Sequence, residues 1–216
     1  MALIRSAYQD ELDGVSQSLV DLTNMVTASM VKASKAVQSA DLTLAEEVIA
    51  SDFKIDDFQH ELDARIIDII ARQQPVATDL RALVTAMRMS ADLERMGDLA
   101  HHIAKVARLR HPDCAIPESL ILPFTEMGHV AEKLSIMVAA VITTRDTEMA
   151  MQVEKDDDEM DDLHKKVIAT IIKDENGLSL ESAIDLTLLG RYYERYADHA
   201  VSVARRVYFL VTGTFA

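Results

Sequence analysis

The sequence predicts an all-α protein built as two tandem antiparallel three-helix bundles related by internal duplication. Three observations carry this. First, Leu93-Glu94-Arg95-Met96-Gly97-Asp98 returns one hundred residues later as Tyr193-Glu194-Arg195-Tyr196-Ala197-Asp198, and the likeness continues with Ala100/Ala200, Ile103/Val203, Ala104/Ala204 and Lys105/Arg205. Second, apolar residues recur at helical spacing through six long stretches rich in good helix formers. Third, breakers are rare: 6 Gly and 4 Pro in 216 residues, with two of the prolines in one short stretch.

The first stretch spans about Arg5–Gln38. Tyr8, Leu12, Val15, Leu19, Leu22, Val26, Ser29 and Ala33 step by four and three, the seam of a bundle helix. Ser39-Ala40-Asp41 ends it, and Asp41 suits the N-cap of the next helix. The second stretch, about Leu42–Gln74, repeats Val48, Ile55, Leu62, Ile66 and Ile69. Asp52 and Asp56 interrupt its apolar stripe. Two acids there need a partner, because an unpaired buried carboxylate is costly. Pro75 ends this helix.

The third stretch, about Val76–Arg110, carries one stripe at Leu80, Leu83, Val84, Met87 and Ala91, which continues in angle to Glu94 and Asp98. Met89, Leu93, Met96, Ala100 and Ile103 form a second stripe opposite. A helix apolar on both sides is expected to be mostly buried, so Glu94 and Asp98 are expected to point inward. His111-Pro112-Asp113-Cys114-Ala115-Ile116-Pro117 breaks both flanking patterns. We place a first bundle at 1–111, a linker at 112–117 and a second bundle at 118–216.

The second half repeats this order. A fourth helix covers about Glu118–Thr143, with Met127, Val130, Leu134, Met137 and Val141 on its seam. A fifth covers about Asp146–Lys173. At an offset of 105 residues, Asp41, Asp52 and Asp56 meet Asp146, Asp157 and Asp161. Asn176-Gly177 reads as a turn. The sixth, about Ser179–Leu210, carries the second Glu-Arg-x-x-Asp. Helices near 30 residues exceed the usual ~11–12 and suit bundles with short turns.

Composition narrows the function. A formal net charge of −14 argues against a general nucleic-acid binder, which needs a basic face. The single cysteine, Cys114, allows no intrachain disulfide and fits a reducing compartment. No secretory h-region and no long charge-free apolar run is seen, so a cytoplasmic location is expected. No Gly-rich phosphate loop, nucleophile elbow or zinc signature occurs.

The chemistry lies in the acids. Each half has an Asp-x-x-x-Asp on its middle helix and a Glu-x-x-x-Asp on its last, and i,i+4 spacing puts each pair on one helix face. If the pairs face each other, four carboxylates converge and cannot all stay ionised without protonation, an Arg or Lys partner, or a cation. All-oxygen sites take hard cations such as Mg, Mn, Fe or Ca. Arg95 and Arg195 sit one residue off the acidic face and read as ion-pair partners. His101 and His164 lie near the acids and could supplement them.

On the repeated Glu-x-x-x-Asp motifs, with Asp52-x-x-Ile55-Asp56 and Asp157-x-x-Met160-Asp161, the chain resembles the PhoU family of accessory regulators of bacterial phosphate uptake. The likeness covers nearly the whole chain. It implies two similar three-helix bundles with metal clusters on the acidic motifs, the metal being Fe, Zn, Mn or Mg. Carried over residue by residue, the metal-site candidates are Asp52, Asp56, Glu94, Asp98, Asp157, Asp161, Glu194 and Asp198. The resemblance also implies a non-enzymatic negative regulator that contacts a phosphate ABC transporter's ATPase subunit and a phosphate-sensing histidine kinase. Such a protein would act as a homodimer, reaching the membrane only through partners. Two alternatives stand beside it. A ferritin-like di-iron oxidoreductase expects a Glu-x-x-His on each of two helices, and Glu126–His129 is the only one here. A metal-free helical scaffold would leave the acids simply solvated.

Overall fold

Capping chemistry sets where the helices begin and end. The computed structural model describes residues 2–173 and 177–214. Among them the helices are α1 (Ala2–Ser39), α2 (Leu42–Gln73), α3 (Ala77–Arg110), α4 (Glu118–Thr144), α5 (Thr147–Lys173) and α6 (Leu180–Thr212), with no strand. Asp41 caps α2 as expected, its Oδ1 accepting the Leu44 N–H at 3.1 Å. Asp146 does the same for α5 through the Met149 N–H at 3.0 Å. Ser179 caps α6 through the Ser182 N–H at 3.0 Å. At the C-termini, Gln74, Arg145 and Gly213 turn left-handed, and the backbone N–H of each reaches back four residues. Such caps satisfy carbonyls that the helix leaves open. Of the expected Asn176–Gly177 turn, Asn176 lies outside the described residues, while Gly177 takes φ +65°.

Within each half the helices run up, down and up. Ion pairs lock the antiparallel neighbours: Lys32 with Glu47 and Arg72 with Glu11, each 2.8 Å, tie the two ends of α1 to α2. Lys133 with Asp156 at 3.1 Å ties α4 to α5. The lysine and arginine partners are about half exposed, so these pairs set register more than stability.

The two halves lie side by side. α1 packs on α4 and α3 on α6, so these four helices form an inner layer; α2 covers the α1/α3 flank and α5 the α4/α6 flank. One cluster of buried apolar residues runs through both halves. This is why α1 is buried more widely than its seam predicts: Met30, Ala36 and Val37 are fully covered as well as Leu22, Val26 and Ala33. Gly128 lets α4 approach α1 closely, since a Cβ there would lie 3.2 Å from Ser34 Oγ. The 112–117 stretch folds back over the end of α1. Ile116 is buried, and the Cys114 thiol lies 3.4 Å from the Val37 and Gln38 carbonyls.

One expectation needs correction. α3 is not buried on both sides: Met89, Leu93, Met96, Ala100 and Ile103 are in the core, but Leu80 and Val84 are 38% and 39% exposed. Four inner helices already enclose the core, and α2 covers only part of the remaining α3 surface. Glu94 and Asp98 therefore sit half-buried at the α2/α3 rim, not inside.

Candidate functional site

The acid pairs are positioned by the antiparallel pairing of the middle and last helix in each half. α2 and α3 cross so that Asp52 meets His101, which donates its Nδ1–H to the Asp52 carboxylate. Asp56 lies one turn further along α2, within electrostatic reach of Asp98. Burial pushes the Asp56 and Glu94 carboxyls up, and the neighbouring acids push them further. The second half is built alike. Burial, then Asp198, Asp161, Glu194 and Asp158, push the Asp157 carboxyl up to about 7. Burial and Asp198 also raise Glu194, against the opposing charge of Arg191. Seven of the eight acids are half-buried, and Asp198 is exposed. The structure thus gathers Asp52, Asp56, Glu94 and Asp98 on one face, and Asp157, Asp161, Glu194 and Asp198 on another.

Two observations bear on whether these faces fit a cation. His101 Nε2 and Glu194 Oε2 are buried without a hydrogen-bond partner. An imidazole oriented by a carboxylate through one nitrogen, with the other nitrogen free, is the usual arrangement of a metal-ligating histidine and its supporting acid. The raised carboxyls and the orphaned atoms mark sites short of positive charge, and the oxygen-rich donor set suits a hard cation. As the side chains stand, no three His, Cys, Asp or Glu among the described residues are drawn together closely enough to hold one. Arginines of the same helix have taken the carboxylates instead. Arg95 bonds Asp98 at 2.6 Å and lies 3.7 Å from Glu94, and Arg191 bonds Glu194. The ion-pair role read for Arg95 is thus observed; in the second half Arg191 fills it, and Arg195 has no ion pair among the described residues.

The other candidates fall elsewhere. His164 packs on Gly190 between α5 and α6. Glu126 and His129 lie on α4, which carries none of the eight acids, and His129 faces a small cleft with Ser34, Lys35 and Gln38. Sequence reasoning missed the polar seam between the halves. Asp92 of α3 accepts from His199 Nδ1 at 3.1 Å and from Arg206 Nε at 2.8 Å, both of α6. Burial raises the Asp92 carboxyl, but the His199 and Arg206 hydrogen bonds outweigh this and hold it below the usual range. Arg110 pairs with Asp185 and with Glu181 at the far end of the same helix pair. These contacts join residues 71 to 114 positions apart, and neither periodicity nor the repeat signals them.

The crowding of acids around Asp157 has a measurable consequence. Below about pH 4 its carboxyl is protonated folded or unfolded. Between about pH 4 and about pH 7 the folded state keeps a proton that the unfolded chain has lost. Stability of metal-free protein is therefore expected to fall as pH rises through that window and to level off above it. Thermal unfolding followed across pH 4–8 checks this, and Asp157→Asn is expected to flatten the slope; an unchanged slope would contradict the clustering.

A duplicated helical array of two three-helix units, each with a four-acid face, defines the class of protein by its fold and its repeated acidic motifs. The chain belongs to the PhoU family: the PhoU domain model matches residues 19–107 and again 124–207. It is 43% identical over 98% of its length to the whole of phosphate-specific transport system accessory protein PhoU homolog 2 of Mycobacterium tuberculosis. A Rhizobium meliloti PhoU homolog is 28% identical, with 98% of this chain and 90% of that one covered. The crystal structure of PhoU from Pseudomonas aeruginosa superposes with a TM-score of 0.87 at 26% identity, covering 96% of this chain and 100% of that one. PhoU from Streptococcus pneumoniae shares the fold, with a TM-score of 0.88 at 24% identity over 97% and 99% of the two chains.

Proposed function

We propose that this chain is a phosphate-transport accessory regulator that works as an adaptor and not as a catalyst. The observation that carries this is the full-length likeness to relatives named for that role, at 43% identity. In this reading the protein restrains phosphate uptake and the phosphate-starvation two-component response from the cytoplasm, as a homodimer. It would do so by contacting the ATPase subunit of a phosphate ABC transporter and a phosphate-sensing histidine kinase. No helix among the described residues is long and apolar enough to cross a membrane, so it would reach the membrane through such partners. Regulation then requires that it bind one conformation of its partner more tightly than another.

The two acidic faces are proposed as metal sites for Fe, Zn, Mn or Mg. Asp52, Asp56, Glu94 and Asp98 would hold the cation on one face, and Asp157, Asp161, Glu194 and Asp198 on the other. The buried, unpartnered Glu194 Oε2 and His101 Nε2 support this reading. Binding would draw Glu94, Asp98 and Glu194 away from Arg95 and Arg191. Elemental analysis of untagged protein is the test. Tight metal in the wild type, reduced by about half in Glu94→Ala/Asp98→Ala and again by about half in Glu194→Ala/Asp198→Ala, is the expected result. A wild type that stays metal-free after incubation with each cation would leave a metal-free helical scaffold. Capture of the transporter ATPase and the kinase by the purified chain tests the adaptor role separately. The ferritin-like alternative loses ground, because the one Glu-x-x-His is set on α4 apart from the acids.

A further inference from the structure

We propose that the cleft between α3 and α6 is a binding site for a phosphoryl anion, held by Arg95, Arg191 and Arg195. The site does not rest on the metal reading. It follows from the way the duplication meets itself. α3 and α6 run antiparallel, as the Asp92–Arg206 and Arg110–Asp185 contacts show. Arg95 and Arg195, the same position in the two motif copies, therefore come to line one cleft of about 530 Å³, and Arg191 joins them from the preceding turn of α6. His102, Tyr192 and His199 complete the polar wall, with Asp98 the one carboxylate in the lining.

Three arginines line this one cleft, and in a chain of net charge −14 such a concentration is against the general trend of the surface. The existing counter-charges are partial. Arg95 is shared between Glu94 and Asp98 and remains 62% exposed, and Arg191 bonds Glu194 yet is 51% exposed. Arg195 is exposed and has no ion pair among the described residues. Planar guanidinium forks match the oxygens of phosphate, and two or three converging forks match its double charge better than that of a single carboxylate. An extended nucleic acid is a poor fit, because the basic patch is confined to one cleft. The cleft is larger than bare phosphate needs, and one wall is flat: the His102 and Tyr192 rings stack at 5.2 Å with 21° between their planes. Both free inorganic phosphate and the phosphate of a nucleotide present the required chemistry. Since Arg95 and Arg191 also hold the acidic faces, whatever draws the carboxylates away from them strengthens the cleft for an anion, and the anion in turn favours that change.

The test is calorimetric titration of the full chain with inorganic phosphate and, separately, with ATP. Protein and buffers are first passed over chelating resin so that no anion is held through metal. Saturable binding with a Kd of about 1 mM or tighter is expected, weakening as salt is raised. Arg95→Gln/Arg195→Gln is expected to lower affinity at least about ten-fold, roughly 1.4 kcal/mol. Arg195→Gln alone, at an exposed side chain, gives a partial loss with an unchanged melting temperature. Arg108→Gln, exposed on α3 outside the cleft, leaves binding as it was. If phosphate saturates the site and ATP does not compete, the ligand is the free anion; if ATP binds more tightly and phosphate displaces it, the ligand is a phosphate on a larger molecule. No saturable binding of either below about 10 mM, or equal affinity in Arg195→Gln and the double variant, would overturn the proposal.

Discussion

Tyr193→Ala is expected to destabilise the protein by about 3–5 kcal/mol, a fall in melting temperature of roughly 10 °C. The ring is fully buried where α1, α4 and α6 meet, 6.1 Å from the Phe124 ring at an angle of 50°. Its hydroxyl donates to Ser34 Oγ at 2.9 Å, across the two halves. Truncation removes a large apolar volume from a place where three helices cannot close in together. Tyr193→Phe keeps the ring and loses only the hydrogen bond, so it is expected to cost about 1 kcal/mol. Thermal unfolding followed by circular dichroism separates the two variants. A fall below about 3 °C for the alanine variant would mean that the halves do not depend on this shared core.

Asp92→Ala is expected to cost about 2–4 kcal/mol, or roughly 5–12 °C in melting temperature. The Asp92 side chain is 14% exposed and accepts from both His199 and Arg206. Removing it leaves the half-buried Arg206 guanidinium facing the α3/α6 seam without its counter-charge, which is more harmful than never having placed it there. Changing both partners is therefore expected to be milder than the sum of the single changes. A cycle of Asp92→Ala, Arg206→Met and the double variant measures this coupling, expected at about 1–3 kcal/mol. Additive losses would show that the bridge contributes nothing beyond its separate side chains.

Much of the architecture is legible in the residues themselves. The seams at Val15, Leu19, Leu22 and Val26 of α1 and at Val48, Ile55, Leu62, Ile66 and Ile69 of α2 are buried as their spacing requires. Helix periodicity is a local property, and the repeat doubles the signal. The eight acids are legible for the same reason, since i,i+4 spacing puts each pair on one face wherever the helix goes. The Leu80/Val84 edge of α3 stays partly exposed, because an apolar stripe shows which side of a helix can be buried, not whether a neighbour covers it.

The sequence by itself determined six helices, the cap at Asp41, the twofold internal repeat, and the two sets of paired carboxylates. Each follows from contacts within a few residues or from comparing one half of the chain with the other. Only the tertiary structure decided that α1 lies on α4 and α3 on α6, that Tyr193 reaches Ser34, that Asp92 takes Arg206, and that Arg95 and Arg195 share a cleft. The residue pairs named lie 100 to 159 positions apart. They depend on the relative placement of two bundles, to which helical periodicity is blind, because rotating one bundle against the other changes every such pair without altering a single repeat.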